Sequence, residues 1–220
     1  MMEKRAIRVL HVTRLPITVT AFLLPLLREH RARGHVVSVA CSDGPEIAEI
    51  EAEGIHVYRF GLQRNLAPWN LASALWKLAH IVRVLHIEWV FTHTPIASAV
   101  ARLASRIGGA RGTIYMAHGL PCAPRMPRFS WLTWYVAERL LGAITDGLIT
   151  MNQYDHELAR AHRLIRRRGN IYRVNGVGVN AERFHRLCSE TDATAVKQEL
   201  GIATHEPTVL LLAPGPLARW

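Results

Sequence analysis

The stretch Thr113-Ile114-Tyr115-Met116-Ala117-His118-Gly119 decides the fold of this chain. It is short, rich in β-branched and aromatic residues, and ends in a histidine followed by a glycine. That pattern predicts a buried strand that carries a polar side chain at its carboxyl end. In open α/β sheets, ligands bind in the crevice just beyond those carboxyl ends. The pair His118-Gly119 is therefore a candidate site for chemistry.

A second strand of the same kind lies earlier in the chain. Glu88-Trp89-Val90-Phe91-Thr92 leads into His93-Thr94-Pro95, so a hydrophobic run again ends in polar, turn-forming residues. His93 and His118 can both be hydrogen-bonded histidines in the turns that follow strands. A functional role is favoured for His118, because the adjacent Gly119 allows a ligand to approach the backbone closely.

Short apolar runs alternate with longer amphipathic segments from residue 6 to residue 174. Strands that are linked by helical crossovers form a parallel sheet with helices on both faces, and their continuous apolar character agrees with burial on both sides. The sequence therefore predicts an α/β fold with a Rossmann-like, doubly wound parallel sheet. The predicted strands are Ala6–Val12, Val36–Cys41, Ile55–Phe60, Trp89–Thr92, Thr113–Ala117, Gly147–Thr150 and Ile171–Val174. The predicted helices are Thr18–Arg33, Pro45–Glu53, Pro68–Leu85, Ile96–Ile107, Ser130–Leu141 and Gln153–Leu164.

After Asn175 the pattern changes. A glycine-rich turn precedes short helices that are predicted around 181–187 and 194–200, and then comes the apolar strand Thr208–Ala213. A strand without a helix to cover it is an unfinished unit of an α/β sheet. We therefore expect residues 1–205 to form one domain and residues 206–220 to supply the first strand of a second, truncated domain.

The charge balance favours anionic partners. The 220 residues contain 27 Lys and Arg against 17 Asp and Glu, so the formal net charge is +10. Such a surface attracts nucleic acid, anionic lipid head groups or phosphorylated small molecules. A nucleic-acid partner is not expected, because no helix-turn-helix, ribonucleoprotein or zinc-finger signature accompanies the charge.

Cofactor and metal sites find no support in the motifs. The segment Gly176–Ala181 matches the dinucleotide pattern Gly-x-Gly-x-x-Ala, but the strand and acidic residue that should follow it are missing. The twelve histidines form no metal-ligand pattern, and the three cysteines lack Cys-x-x-Cys spacing, which suggests a reducing compartment. The longest apolar run, Leu15 to Leu27, is too short and too interrupted by proline to span a bilayer.

Two further features have competing interpretations. Asn152 and Asp155 have the spacing of a helix cap, which is the favoured reading, although a helix that begins at a strand's carboxyl end can also help to hold an anion. The stretch Arg125–Tyr135 mixes arginine with aromatic residues, and Arg160–Arg168 is rich in arginine. Both stretches can be solvated helix faces, or they can lie against an anionic membrane surface.

Taken in order, these pieces resemble the amino-terminal domain of family 4 glycosyltransferases, especially bacterial enzymes of capsular polysaccharide, exopolysaccharide and O-antigen synthesis. The resemblance covers nearly all of residues 6–213. The residues that carry it are Arg8-Val9-Leu10-His11-Val12-Thr13, Arg33-Gly34-His35-Val36-Val37, Thr92-His93-Thr94-Pro95-Ile96-Ala97-Ser98, Met116-Ala117-His118-Gly119-Leu120, Thr145-Asp146-Gly147-Leu148-Ile149-Thr150-Met151-Asn152, Asn175-Gly176-Val177-Gly178-Val179-Asn180 and Arg183-Phe184.

The resemblance implies a GT-B fold, in which two Rossmann-like domains face each other across a cleft. The first domain binds the acceptor, often a lipid-linked diphosphate sugar, and the second binds the nucleotide sugar without a metal ion. His118 corresponds to the histidine that meets the donor sugar, so it is the expected catalytic residue. The expected acceptor-binding residues are Arg14, His93, Thr94, Gly119 and Asn152.

The resemblance thus implies a retaining, metal-independent glycosyltransferase of cell-surface polysaccharide synthesis, cytoplasmic or peripheral on the inner face of the plasma membrane. Its co-substrate, a nucleotide sugar, belongs to the missing domain, and no cofactor is expected. The chain alone is then expected to be inactive, as a fragment, a truncated gene product or a half-enzyme that works with a separate carboxyl-terminal domain. The alternative is a non-catalytic module that binds anionic membrane or a partner protein.

Overall fold

The computed structural model describes residues 5–62, 67–178, 190–205 and 207–208. The chain divides into two compact units, Met1–Gly178 and Val179–Trp220. In the first unit, the described strands form one parallel seven-stranded sheet in the order β3-β2-β1-β4-β5-β6-β7. The strands are β1 (Arg8–Val12), β2 (Val36–Cys41), β3 (His56–Arg59), β4 (Trp89–Thr92), β5 (Gly112–Ala117), β6 (Gly147–Thr150) and β7 (Asn170–Arg173).

Helices connect these strands. A π-helical turn, Val19–Leu23, runs directly into α1 (Leu24–Ala32), and the other connecting helices are α2 (Ile47–Ala52), α3 (Pro68–Val84), α4 (Pro95–Gly108), α5 (Arg128–Gly142) and α6 (Gln153–Ala161). The fold class predicted from the alternation of apolar runs is confirmed. Helix α6 ends three residues earlier than expected, because Arg163 adopts a φ of 49°, which no helix can continue through.

Opposite faces of the sheet carry separate hydrophobic cores. Leu10 and Val12 of β1 pack with residues of α3 and α4, whereas Val37 and Val39 of β2 pack with residues of α1 and α2. Successive side chains of a strand point to opposite faces, so His11, between Leu10 and Val12, lies on the α1 side. The helices therefore cover both faces, as a doubly wound sheet requires.

The strand order reverses between β1 and β4. Strands β2 and β3 lie on one side of β1, while β4 to β7 lie on the other. In open α/β sheets the ligand crevice forms at this switch point, beyond the carboxyl ends of the two strands. Here the residues that follow those ends are Thr13-Arg14 after β1 and His93-Thr94 after β4. Three of the predicted site residues therefore lie at the switch point.

The second unit contributes α7 (Glu190–Glu199) to the described residues. This helix overlaps the one predicted around 194–200. The helix predicted around 181–187 and most of the strand Thr208–Ala213 lie outside the described residues, as does Cys188. The predicted boundary between residues 205 and 206 stays a prediction.

Candidate functional site

The loop after β1 is fastened to the start of α4. The backbone N–H of Arg14 donates to the hydroxyl of Thr94 over 3.3 Å, and the Arg14 carbonyl accepts from the N–H of Ser42 at 3.0 Å. Helix α4 begins at Pro95, and no side chain among the described residues caps its amino end. Because Pro95 has no N–H, the N–H groups that this turn can offer to an anion are those of Ile96 and Ala97, and the helix dipole also favours an anion there.

A cavity of about 340 Å³ opens at this point. Its wall combines the loop after β1 with the first turn of α4, and it includes two of the predicted acceptor-binding residues. The lining residues are Arg14, Leu15, Thr18, Thr94, Pro95, Ile96, Pro121 and Trp134. One arginine and a helix amino end in an otherwise apolar cavity make a site for a ligand that carries both a phosphate and an apolar group.

An apolar groove of about 460 Å³ lies next to that cavity. It runs between α3, α4 and α5, and its lining residues are Leu71, Ala72, Leu75, Ile96, Ala99, Val100, Leu103 and Trp134. Because Ile96 and Trp134 line both spaces, the groove continues the cavity away from Arg14. The half-buried Trp134 forms the wall between the two.

The two predicted histidines are in contact with each other. His93 Nδ1 lies 3.3 Å from His118 Nε2, and the rings have centroids 5.5 Å apart. His93 is buried, whereas His118 is exposed at the carboxyl end of β5 with the ring of Phe22 on its other side, 6.3 Å away. His118 therefore exposes its ring at the crevice, while its Nε2 contacts the buried His93.

Two further histidines extend this contact inward. His11 Nδ1 lies 3.2 Å from His93 Nε2, and His11 Nε2 lies 3.2 Å from His30 Nδ1. Sequence reasoning did not find His11 and His30. The available signal for His11 was its place within an otherwise apolar strand, because a polar residue at such a buried position needs a hydrogen-bond partner.

Desolvation lowers the pKa of these imidazoles and favours their neutral form. Desolvation lowers the pKa of His93 to about 3, and it lowers the pKa of His11 well below the ordinary value, with neighbouring histidines adding to the effect. Desolvation also lowers the pKa of His118. At neutral pH the crevice histidine can therefore donate or accept a hydrogen bond without carrying charge.

The turn after His118 is held from below by α6. The N–H of Leu120 donates to the Asp155 carboxylate at 2.8 Å, and Asn152 binds the same carboxylate through its Nδ2 at 2.7 Å. Asn152 Oδ1 accepts from the N–H of Asp155 at 2.8 Å. The favoured capping interpretation of this pair is confirmed, while acceptor binding by Asn152 stays a prediction. Gly119 has a φ of 145°, and a Cβ there would meet no described atom within 4 Å.

The structure thus brings the predicted site residues together in two groups rather than one. Arg14 and Thr94 are hydrogen-bonded beside the cavity, while His93 and His118 form the inner end of the crevice. Among the residues that the structure describes, no three His, Cys, Asp or Glu side chains converge on a position that could hold a metal ion.

Comparison with known proteins agrees with this architecture. Residues 11–149 match the family model described as glycosyl transferase 4-like. The chain is 31% identical over 200 residues to EpsD of Bacillus subtilis (strain 168), whose name assigns it to the glycosyltransferases, and the match covers 90% of this chain and 50% of that protein. The chain therefore spans about half the length of this relative.

Solved structures share the fold. A glycosyltransferase from Rickettsia africae ESF-5 superposes with a TM-score of 0.64 at 15% identity, covering 92% of this chain and 52% of that one. Anabaena Alr3699/HepE, solved with UDP and glucose, superposes with a TM-score of 0.63 at 18% identity, covering 89% and 50%. The first unit has the fold of one Rossmann-like half of a GT-B glycosyltransferase, and the chain belongs to the glycosyl transferase 4-like family.

Proposed function

We propose that this chain is the acceptor-binding half of a retaining, metal-independent glycosyltransferase in cell-surface polysaccharide synthesis. The observation that carries the proposal is the 340 Å³ cavity at the sheet's switch point, where Arg14 and the uncapped start of α4 meet an apolar wall. A nucleotide sugar is the co-substrate. Its site belongs to the second half of the enzyme, so the chain by itself is inactive.

The acceptor that fits this cavity is a lipid-linked diphosphate sugar. Its diphosphate would lie against Arg14, Thr94 and the N–H groups of α4, because helix amino ends and arginine both favour phosphate. Its lipid chain would follow the apolar groove that begins at Ile96 and Trp134. A saccharide acceptor without lipid would leave that groove unused, which is why the lipid-linked form is favoured.

His118 is the proposed catalytic residue. Its ring lies at the carboxyl end of β5, on the same edge of the sheet as Arg14 and Thr94. The lowered pKa of His118 makes it a weak base and a neutral hydrogen-bonding group. That character suits a retaining transfer, in which positioning of a positively charged sugar and a leaving diphosphate contributes more than proton abstraction.

We also propose that the enzyme works in the cytoplasm, with α5 against the inner face of the membrane. Phe129, Leu132, Val136 and Leu140 are exposed along one side of α5, at the spacing of a single helix face. Beside the end of this helix, Arg139, Arg163, Arg166 and Arg167 line a cavity of about 650 Å³. None of the helices in the described part of the chain is long and apolar enough to cross a bilayer.

Calorimetric titration tests the division of labour. The chain is titrated with an isoprenoid diphosphate sugar and, separately, with nucleotide sugars. We expect binding of the first, with Arg14→Ala weakening it about tenfold or more, since a hydrogen bond to a charged group contributes roughly 1.5–3 kcal/mol. Arg111→Ala, at the amino end of β5, is the matched control. Tight nucleotide-sugar binding without acceptor binding would contradict the proposal.

A second candidate function is a non-catalytic module that docks on anionic membrane or on a partner protein. The exposed apolar face of α5 and the arginine-lined cavity favour it. The two functions are separated by supplying the second half of a related enzyme in trans. If transfer is restored, and is lost again with His118→Ala in a correctly folded chain, the result supports the function as half of an enzyme. Salt-sensitive vesicle binding without transfer supports the non-catalytic module.

A further inference from the structure

Four imidazole rings form a continuous hydrogen-bonded column behind the crevice. The column consists of His118, His93, His11 and His30, joined by Nε2···Nδ1 contacts of 3.3, 3.2 and 3.2 Å. Every contact joins an Nδ1 to an Nε2. The column therefore has two ends, the Nδ1 of His118 at the crevice and the Nε2 of His30, a residue of α1.

The middle of the column is sealed from solvent. His11 and His93 are 0% exposed, and the planes of their rings are only 15° apart, with centroids separated by 5.5 Å. The ring of Phe91 stacks on His11 at 4.9 Å and also contacts His30 at 5.2 Å. Water has no access to the two inner rings, so their nitrogens depend on one another for hydrogen bonds.

A neutral imidazole has two ring nitrogens but only one N–H proton. It therefore donates a hydrogen bond at the protonated nitrogen and accepts one at the other. In this column that rule leaves two proton arrangements in which every contact is a hydrogen bond. In one, each Nε2 donates and the Nδ1 of His118 is a bare acceptor. In the other, each Nδ1 donates and the Nδ1 of His118 carries a proton towards the crevice. Any mixed arrangement leaves at least one contact with two protons or with none.

We propose that His93, His11 and His30 are positioning residues that determine which nitrogen of His118 carries its proton. The inference rests on the proposed function in one respect, because that function supplies the substrate that His118 would contact. A donor at Nδ1 can hydrogen-bond a sugar oxygen or a leaving phosphate, whereas an acceptor can orient a hydroxyl. The column thus selects between two kinds of contact at the same ring without moving it.

In this proposal, the bias enters the column at its far end. His30 is half-buried in the last turn of α1, with Glu29, Arg33 and His35 around it. The ring of His35 meets His30 edge-on at 6.2 Å, and the buried Nδ1 of His35 has no hydrogen-bond partner among the described residues. Whichever nitrogen of His30 is protonated fixes the direction of every contact up to His118.

A shared metal ion does not explain the arrangement. The contacts join the rings in sequence, and the described residues contain no position where three such ligands converge. Isolated hydrogen bonds between pairs of histidines do not explain it either. Both ring nitrogens of His11 and both of His93 are engaged within the column.

Nitrogen-15 spectra of the imidazoles test the proposal directly. The full chain is labelled with ¹⁵N-histidine, and the protonated nitrogen of each ring is identified by long-range ¹H–¹⁵N correlation at a pH where the rings are neutral. We expect His11 and His93 each to show one tautomer, and the same one. If either ring populates both tautomers independently, or if the two rings differ, the proposal is overturned by the wild-type spectrum alone.

Variants at the far end then test control of His118. His30→Ala and His30→Gln should change the tautomer ratio of His118 by about fivefold, the factor given by a neutral hydrogen bond of average net strength. His80→Asn, at an exposed position on α3, should leave the ratio unchanged. An unaltered His118 ratio in a folded His30 variant would overturn the proposal. No sugar ligand is involved, so failure of the proposed function and failure of the column give different results.

Discussion

The guanidinium of Arg102 and the carboxylate of Glu138 form an ion pair in the interior between α4 and α5. One nitrogen of Arg102, Nη2, donates to both carboxylate oxygens at 2.9 and 3.1 Å, and the two side chains are 1% and 4% exposed. The guanidinium also lies over the ring of Tyr115, 4.4 Å from its centroid. This pair therefore connects α4, α5 and β5 at a place where water cannot replace a lost partner.

Removing one partner of this pair should be costly. Glu138→Ala leaves the Arg102 charge buried, so we expect the free energy of unfolding to fall by about 3–5 kcal/mol in urea denaturation. The double variant Arg102→Met with Glu138→Leu should recover most of that loss, because it removes both buried charges. A double variant as unstable as the single one would contradict this account.

Tyr115 offers the opposite case, a buried polar group whose removal should help. Its hydroxyl has no hydrogen-bond partner among the described residues, and burial raises the pKa of that hydroxyl. Tyr115→Phe keeps the ring beneath Arg102 and removes the unpaired group, so we expect stability to rise by about 1 kcal/mol. Thermal and urea unfolding measure the change. A loss of stability would show that the hydroxyl is satisfied by a bound water.

The buried histidines should make stability depend on pH. Because the pKa of His93 in the folded chain is lowered to about 3 from an ordinary 6.5, the unfolded chain binds more protons between these values. The contribution of neutral His93 to stability is therefore fully present above about pH 6.5 and is lost progressively as the pH falls towards 3. His93 alone contributes a slope approaching ~1.4 kcal/mol per pH unit in that window.

Urea denaturation at several pH values between 5 and 8 checks this slope. The lowered pKa of His11 acts in the same direction and steepens it. His93→Asn should reduce the slope, and His80→Asn, at an exposed position on α3, should leave it unchanged. A stability that is flat between pH 7 and pH 5 would show that these rings are not kept neutral by burial.

The exposed face of α5 should carry membrane binding. Phe129 is 83% exposed and Leu140 is 69% exposed, so replacing both with serine removes apolar contact without disturbing the core. We expect binding to vesicles that contain anionic lipid to weaken by about tenfold or more, since burying one such side chain contributes roughly 1.5–3 kcal/mol. Val36→Ser, at an exposed position at the start of β2, is the control. Sedimentation with vesicles measures the difference, and unchanged binding would remove α5 from the proposed interface.

Much of the fold follows from local pattern. The bounds of β2, β4 and β6 agree with the predicted runs, because a buried parallel strand is a continuous apolar segment that turn-forming residues terminate. Helix ends were harder to predict where they depend on backbone conformation. Helix α6 ends before Arg163 because that residue has a positive φ. An arginine in the sequence does not predict such a backbone conformation.

Part of the candidate site likewise follows from local sequence pattern, and part depends on the tertiary structure. The spacing of Asn152 and Asp155 predicted a cap, because both residues lie within one helical turn. The contact of Arg14 with Thr94 joins residues 80 apart in sequence, and it depends on β1 pairing with β4. No local pattern contains that pairing.

The sequence by itself determined the alternation of strands and helices, the parallel sheet that follows from it, and the polar residues that follow β4 and β5. These features are local, since they depend on the period of apolar residues and on turn chemistry. Only the tertiary structure decided that His11 and His30 lie behind His93 and His118, and that Arg102 meets Glu138. Those contacts depend on strand order and on helix packing, which bring together side chains that are far apart along the chain.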